Sequence, residues 1–250
     1  MAERTQITKK QFNDAWYKRI GTELIAQEKA LPQHFNKARF TQNCVALLND
    51  KPELLEYGDT QVVVGLVKGA ILGLDFFMHE CYLIPYGKIL NFQTDYKGEI
   101  KFHKRHATRP IVDIYAEVVR EGDVLTRYIK DGQHTVDFTP KMFNKAPIIG
   151  AFAVCLFKDG GKMVEVMNID ELNKAREKSK NANKGAWKDF TSEMYKKVVL
   201  RRLCKHLDFN FDNDEQFKIY EEVMAIETDP EEIAKADVAE NANTEEFKEI

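Results

Sequence analysis

Four cations between residues 97 and 105 recur at a spacing that favours binding to a polyanion. Lys97, Lys101, Lys104 and Arg105 stand at i, i+4, i+7 and i+8, so a helix would present all four on one face. Like charges at this spacing repel and destabilise a helix. A phosphate backbone would offset that repulsion. These residues therefore predict a nucleic-acid contact, with a solvated basic face as the alternative.

A second segment, predicted as one helix over residues 186–207, carries a stripe that changes from aromatic to basic. The members of the stripe are Trp187, Phe190, Met194, Val198, Arg201 and Lys205. Such a stripe suits bases that stack at one end and phosphates that are held at the other. Burial of Trp187 and Phe190 in the core is an equally good interpretation.

Patterns typical of enzymes are missing from the sequence. It contains no GxSxG, Walker-type loop or paired-carboxylate signature. His103 and His106 lack a nearby third ligand, and we interpret His103 as a buried core residue. The four cysteines are far apart, so we expect buried free thiols and no metal site. We predict a protein that is not an enzyme and that has no cofactor.

Charge is distributed unevenly along the chain. Residues 211–250 hold fourteen acids and three lysines, a net charge of −11, so the first 210 residues carry +8 within a total of −3. A basic body attracts polyanions. One hypothesis for the acidic tail is that it competes with DNA for a basic groove on that body or limits assembly of the free protein. A tail that only improves solubility is the alternative.

Helices are predicted before residue 80, and the best marked of them spans residues 59–71. Either Asp59 or Thr60 is the expected N-cap. Gly65, Gly69 and Gly73 are spaced by four residues and predict close approach of another backbone, within the chain or between subunits.

Short β-rich runs with turn residues between them follow from residue 81. The predicted strands are 81–85, 88–92, 111–119, 124–129, 135–138, 150–157 and 162–167. A helix within residues 92–108 should begin at Thr94 or Asp95, with an apolar stripe of Tyr96, Ile100, His103 and Ala107. Further helices are expected at 170–178, 186–207 and 214–226. Helices, then antiparallel strands, then helices indicate an α+β fold.

Three regions follow from this order: a helical lobe with oligomer contacts (1–80), an α+β DNA-binding core (81–210) and an acidic helix and tail (211–250). The longest apolar runs, 62–67 and 148–157, are shorter than the roughly 20 residues that span a bilayer. Residues 1–10 lack the apolar stretch of a secretory signal. We expect no membrane association and a cytoplasmic location.

Several separated blocks of the sequence form a recognisable series. They are LGLD (72–75), HECYLIPY (79–86), QTDYKG (93–98), VVREGD (118–123), DGG (159–161) with EVM (165–167), and the segment 187–203. In this order, over roughly residues 60–210, they resemble the RecT family of phage single-strand annealing proteins, although a proline is common in that family where Phe76 stands.

That resemblance implies a protein that coats single-stranded DNA as rings or helical filaments and anneals it to a complementary strand without nucleotide hydrolysis. It also implies a phage or prophage origin in a bacterial host, an exonuclease partner, and contact of the C-terminal region with the host single-strand-binding protein. The implied core is a short antiparallel sheet with one long helix. An effect of Mg²⁺ on annealing does not follow from the residues.

We expect the helix after Thr94 and the helix after Trp187 to line one groove that holds single-stranded DNA and the annealed duplex intermediate. The predicted phosphate ligands are Lys97, Lys101, Arg105, Lys188, Lys197, Arg201 and Arg202, with Gln93, Thr94, Tyr96 and Thr191 in second rank. Two other functions remain open: a nuclease that uses Asp and Glu around Mg²⁺, and a structural protein that assembles through its N-terminal helices without DNA.

Overall fold

Helices form the N-terminal part of the protein, as the sequence predicts. The computed structural model describes residues 8–179 and 182–225. The N-terminal helices are α1 (Lys9–Ala26), α2 (Lys37–Asp50) and α3 (Asp59–Ile71), joined by 3₁₀ turns at Glu28–Ala30 and Pro52–Tyr57. Their apolar faces meet in one hydrophobic cluster that includes Leu24, Leu48 and Leu66, all inaccessible to solvent.

Helix α3 begins differently from the prediction. Neither Asp59 nor Thr60 caps it, because the N-cap is Gly58, whose φ of +84° is a conformation that L side chains rarely adopt. The expected close approach is made by side chains and not by a second backbone. A Cβ on Gly65 would meet Leu83, and a Cβ on Gly69 would meet Phe76 and Phe92.

A β-hairpin packs against α3 and leads into the next helix. Strands β1 (Cys81–Tyr86) and β2 (Ile89–Thr94) are antiparallel, and α4 (Tyr96–His106) follows directly with Asp95 as its N-cap. The hydrophobic cluster of the N-terminal helices continues into this hairpin through Cys81, Leu83, Leu90 and Phe92. Packing is thus continuous across residue 80, and the predicted division into three regions stays a prediction.

The remaining strands form two further antiparallel units. Strands β3 (Ile111–Arg120), β6 (Ile148–Phe157) and β7 (Lys162–Asn168) make a sheet in the order β3-β6-β7, and β4 (Val124–Lys130) pairs with β5 (Gln133–Thr139). Leu125, Val136 and Phe138 of the second hairpin cover one face of the sheet at Phe152 and Val154. All seven predicted strands are present, and the α+β class is confirmed.

Helices cover the other face of the three-stranded sheet. These are α5 (Ile169–Glu177), α6 (Ala186–Asp189) and α7 (Thr191–Cys204). The prediction of one continuous helix over 186–207 is wrong, because Phe190 leaves the helical region at φ −132° and ψ 43°. The break allows Trp187 of α6 to pack edge-on against Tyr195 of α7, with ring centroids 5.8 Å apart, in the cluster beneath the sheet.

Helix α8 (Asp214–Ala225) returns to the N-terminal helices, where Ile219 and Val223 enter their hydrophobic cluster. The acidic tail that the sequence predicts after it lies outside the described residues. All four cysteines are free and buried, as predicted, and burial raises the pKa of their thiols. No helix in the described part of the chain combines the length and apolar character that crossing a bilayer requires.

Candidate nucleic-acid interface

A groove with a volume of about 810 Å³ runs between the β1–β2 hairpin and the helices α5, α6 and α7. The hairpin and the first turn of α4 form one side, and α5 with the segment before α6 forms the other. Helix α7 lies along the bottom. Six of the predicted site residues line this groove: Gln93, Thr94, Tyr96, Lys197, Arg201 and Arg202.

Tyrosines line the hairpin side of the groove. Tyr82, Ile84 and Tyr86 alternate along β1 and therefore point to the same face of the strand. Gln93 lies opposite Tyr82 in the strand register, and its Nε2 donates to the hydroxyl oxygen of Tyr86 at 3.1 Å. Burial raises the pKa of the Tyr82 phenol. The hairpin thus presents aromatic rings and neutral hydrogen-bonding groups.

The bottom of the groove, here called the groove floor, consists of Thr94, Lys197 and Arg201 above Glu99. Arg201 Nε donates to Glu99 Oε1 at 2.8 Å, and its Nη2 also donates to that oxygen and to Thr94 Oγ1, the latter at 3.2 Å. Thr94 Oγ1 donates to Glu99 Oε1 at 2.7 Å, and Lys197 Nζ donates to the Thr94 carbonyl oxygen at 3.1 Å. Only 8% of Arg201 and 1% of Glu99 is exposed.

This network joins α4 to α7 through a buried ion pair. A buried charge is tolerated when it is paired and hydrogen-bonded. The guanidinium of Arg201 therefore holds two helices together at the place where the sequence predicted a phosphate ligand.

Four exposed lysines, here called the groove wall, surround the floor. They are Lys174, Lys178, Lys184 and Lys205. Among residues 8–179 and 182–225, none of these lysines has an ion pair with a carboxylate. Arg202, between the wall and the floor, contrasts with them because it pairs with Glu165 and Glu171, each at 2.9 Å. The wall lysines form no ion pair within the described part of the protein, although Glu171, which also lines the groove, interacts electrostatically with Lys174.

The structure does not bring the other five predicted residues into the groove lining. These are Lys97, Lys101, Arg105, Lys188 and Thr191. Lys101 Nζ pairs with Glu80 at 2.6 Å, and Thr191 Oγ1 donates to the Trp187 carbonyl oxygen at 2.8 Å. Lys97, Arg105 and Lys188 are exposed. Their role as DNA ligands stays a prediction.

The repulsion expected along the basic face of α4 is partly relieved within the protein itself. Lys101 pairs with Glu80, and Lys104 pairs with Asp113 at 2.8 Å. Both acids lie on other elements and are invisible to a pattern read along one helix. The face of α4 therefore requires no phosphate to offset these two cations.

Trp187 and Phe190, for which the sequence left two interpretations open, have different environments. Trp187 is 6% exposed and belongs to the cluster beneath the sheet, although it also reaches the groove lining. Phe190 is 65% exposed. The core interpretation is thus correct for Trp187 and wrong for Phe190.

His103 is a buried core residue, as predicted. Its Nδ1 faces the Glu99 carbonyl oxygen, which can only accept, so this nitrogen carries the proton and Nε2 accepts from the Tyr220 hydroxyl at 3.2 Å. Burial lowers the pKa of His103 to about 4. The ring is therefore neutral, and it supports α4 from behind the groove floor.

The residues predicted from sequence do not include the wall lysines at the C-terminal end of α5 or the tyrosines of β1. Lys174 and Lys178 stand at i and i+4, and Tyr82 and Tyr86 share a period of two with Ile84. Both signals are present in the sequence, but only the fold shows that these residues line the same groove. Within residues 8–179 and 182–225, no group of three or more His, Cys, Asp or Glu side chains is placed to hold a metal ion.

Comparison with known proteins agrees with the resemblance noted in the sequence. Residues 38–237 match the RecT family, which is more than half of the chain. The chain is also 30% identical over 188 residues to Protein RecT of Escherichia coli strain K12, an alignment that covers 71% of this chain and 69% of that protein. The chain therefore belongs to the RecT family.

Proposed function

We propose that this chain is a recombination protein that binds single-stranded DNA in the groove and anneals it to a complementary strand without hydrolysing ATP. Membership of the RecT family supports recombination and strand annealing as the general function. The observation that carries the DNA site is the groove wall, whose four lysines have no carboxylate partner in the described chain. Unneutralised cations in a concave surface concentrate the field that attracts a polyanion.

The two sides of the groove suit the two parts of a nucleotide. The lysines of α5 face the phosphate backbone, and the rings of Tyr82 and Tyr86 are available for stacking with bases. Stacking uses the face of a base and leaves its Watson–Crick edge free. Binding is therefore independent of sequence, as pairing with a second strand requires.

We assign the main phosphate contacts to the exposed lysines of the groove wall, Lys174, Lys178, Lys184 and Lys205. Lys197 and Arg202 also line the groove, but Lys197 donates to the Thr94 carbonyl oxygen and Arg202 pairs with two glutamates, so we assign them smaller contributions. Arg201 positions Thr94 and the first turn of α4 through its pair with Glu99. Lys97, Lys101, Arg105, Lys188 and Thr191 would contact DNA only where the strand extends beyond the groove.

Annealing follows from charge neutralisation. Two strands repel each other through their phosphates, and each protein cation that replaces condensed counterions lowers that repulsion. A strand held against the wall with its bases free can test a second strand for complementarity. The protein then supplies alignment and charge, and base pairing supplies the specificity.

Further parts of the proposal come from the family alone. They are assembly into a ring or helical filament on DNA, a phage or prophage origin, action in the bacterial cytoplasm with an exonuclease, and contact with the host single-strand-binding protein. No bond chemistry and no cofactor are part of the proposed function.

The test is a double variant in the groove wall, Lys174→Ala with Lys178→Ala, compared with a double variant in the N-terminal region, Lys18→Ala in α1 with Lys51→Ala at the C-cap of α2. All four lysines are exposed, so both variants lose the same charge. We expect the wall variant to bind labelled single-stranded DNA about tenfold more weakly, with a salt slope reduced by roughly 1.4, because each single-strand contact contributes about 0.7. Annealing of two complementary oligonucleotides without ATP should slow in parallel.

Three results would contradict the proposal. Equal affinity of the wall variant and the control for single-stranded DNA would show that DNA does not bind in the groove. Shortened DNA in the presence of Mg²⁺ would indicate a nuclease. Assembly of the protein without any shift of labelled DNA would indicate a structural protein.

A further inference from the structure

Helix α8 is held in a defined position by contacts along its length. Gln216 Nε2 donates to the Ile71 carbonyl oxygen at 3.1 Å, the Tyr220 hydroxyl meets His103, and Glu222 pairs with Lys68 of α3. Ile219 and Val223 are buried among the N-terminal helices. The place where α8 ends is therefore fixed relative to α3 and α4.

That end lies at the groove. Met224, next to the last residue of α8, lines the groove together with Lys197 and Lys205. Residues 226–250 are thus covalently attached to a helix whose last turn lines the groove. The 25 residues that follow Ala225 could reach up to about 80 Å if fully extended, at roughly 3.3 Å per residue.

The charge of this segment is opposite to that of the groove wall. Residues 226–250 hold nine acids and two lysines, and four of the acids, Glu227, Asp229, Glu231 and Glu232, fall within its first seven residues. The four wall lysines have no carboxylate partner among the described residues. Opposite charges on a short tether meet at an effective concentration in the millimolar range.

We propose that residues 226–250 bind in the same groove as single-stranded DNA and compete with it. The inference rests on the proposed function of the groove. The acidic segment occupies the wall lysines in the free protein, and DNA must displace it. Competition also changes the salt dependence: salt releases the segment as well as DNA, so the apparent salt slope of the intact protein is shallower than that of a protein whose segment is neutral.

The test compares two full-length variants that remove the same number of negative charges. One neutralises the start of the segment by Glu227→Gln, Asp229→Asn, Glu231→Gln and Glu232→Gln. The control neutralises four exposed acids of the N-terminal helices and the 3₁₀ turn by Asp14→Asn, Asp50→Asn, Glu53→Gln and Glu56→Gln. None of the four control residues lines the groove or belongs to a hydrophobic cluster.

The first measurement uses no DNA. Acetylation of individual lysines, followed by mass spectrometry, reports how accessible each ammonium group is. We expect Lys174, Lys178 and Lys205 to react at least about threefold faster in the segment variant than in the unmodified protein or the control. The factor is modest because ion pairs between the segment and these exposed lysines are individually weak. Lys18 and Lys51 should react equally in all three proteins.

The second measurement is affinity for a labelled single strand. At about 50 mM salt the segment variant should bind roughly five- to tenfold more tightly than the unmodified protein, and at about 300 mM the difference should fall below about twofold. The control should differ from the unmodified protein by less than about twofold at both concentrations.

The outcomes separate the two proposals. Unchanged acetylation of the wall lysines overturns the inference, even if all three proteins bind DNA. Faster acetylation with unchanged DNA affinity also overturns it, because the segment would then dock without competing. If acetylation rises but none of the proteins binds DNA, the proposed function of the groove fails and competition fails with it.

Discussion

The groove contains two kinds of cation that differ in what neutralises them. On the floor, Arg201 is 8% exposed and is bound by Glu99 and Thr94. On the wall, four lysines are exposed and have no carboxylate partner in the described residues. The floor therefore stabilises the site, while the wall is available to a ligand. Basic spacing in a sequence cannot distinguish the two kinds.

The largest expected effect comes from removing the Arg201–Glu99 ion pair of the groove floor. Arg201→Ala leaves the carboxylate of Glu99 buried without its cation, which typically destabilises a protein by about 3–5 kcal/mol. Urea denaturation should show this loss in the free energy of unfolding. The double variant Glu99→Gln with Arg201→Met removes both charges and should recover most of it.

A different result would show that the groove floor binds DNA as the wall does. If Arg201→Ala kept full stability but lost most of its affinity for single-stranded DNA, Arg201 would be a phosphate ligand after all. The floor would then belong to the binding surface.

The next largest effect is a loss of stability in mild acid. It tests His103, which supports α4 from behind the groove floor. Burial lowers the pKa of His103 to about 4, below its ordinary value near 6.5. In this pH range the unfolded state binds a proton that the folded state does not bind. The free energy of unfolding therefore falls as the pH drops from about 6.5 to about 4. The loss from this residue is up to about 3 kcal/mol, at 1.36 kcal/mol per pKa unit.

Urea denaturation at several pH values between 7.5 and 4 measures this loss. His106 contributes in the same direction, because burial lowers its pKa too. His103→Gln should flatten the dependence in this window without abolishing it. A dependence that is identical in His103→Gln would show that His103 does not cause it.

The local elements of the fold could be predicted from sequence, but the pairings that shape the site could not. Turn residues such as Gly87 and Gly160, both with positive φ, mark hairpins that the structure contains. The helix break at Phe190 has no local signal such as proline or glycine, and the packing of Trp187 on Tyr195 that accompanies it is a tertiary contact. Glu99 and Arg201 are 102 residues apart, so no periodicity reveals that they neutralise each other.

The smallest expected effect is a difference between two neighbouring cations, Arg202 in α7 and Lys205 at the C-terminal end of that helix. Lys205→Ala removes a wall lysine and should lower the salt slope of single-strand binding by roughly 0.7. Arg202→Ala removes a guanidinium that Glu165 and Glu171 already neutralise, so its slope should change by less than about half of that. Binding titrations over a range of salt concentrations measure both slopes.

For Lys205→Ala and Arg202→Ala, the affinity for single-stranded DNA is less informative than the salt slope. Loss of Arg202 frees two carboxylates beside the groove, and their repulsion weakens DNA binding even when every phosphate remains bound. The slope counts the counterions that bound cations displace, and it therefore isolates the phosphate contact itself. Equal slopes for the two variants would mean that Arg202 exchanges its acidic partners for phosphate, so that a paired cation on this surface can act as a wall residue once DNA is present.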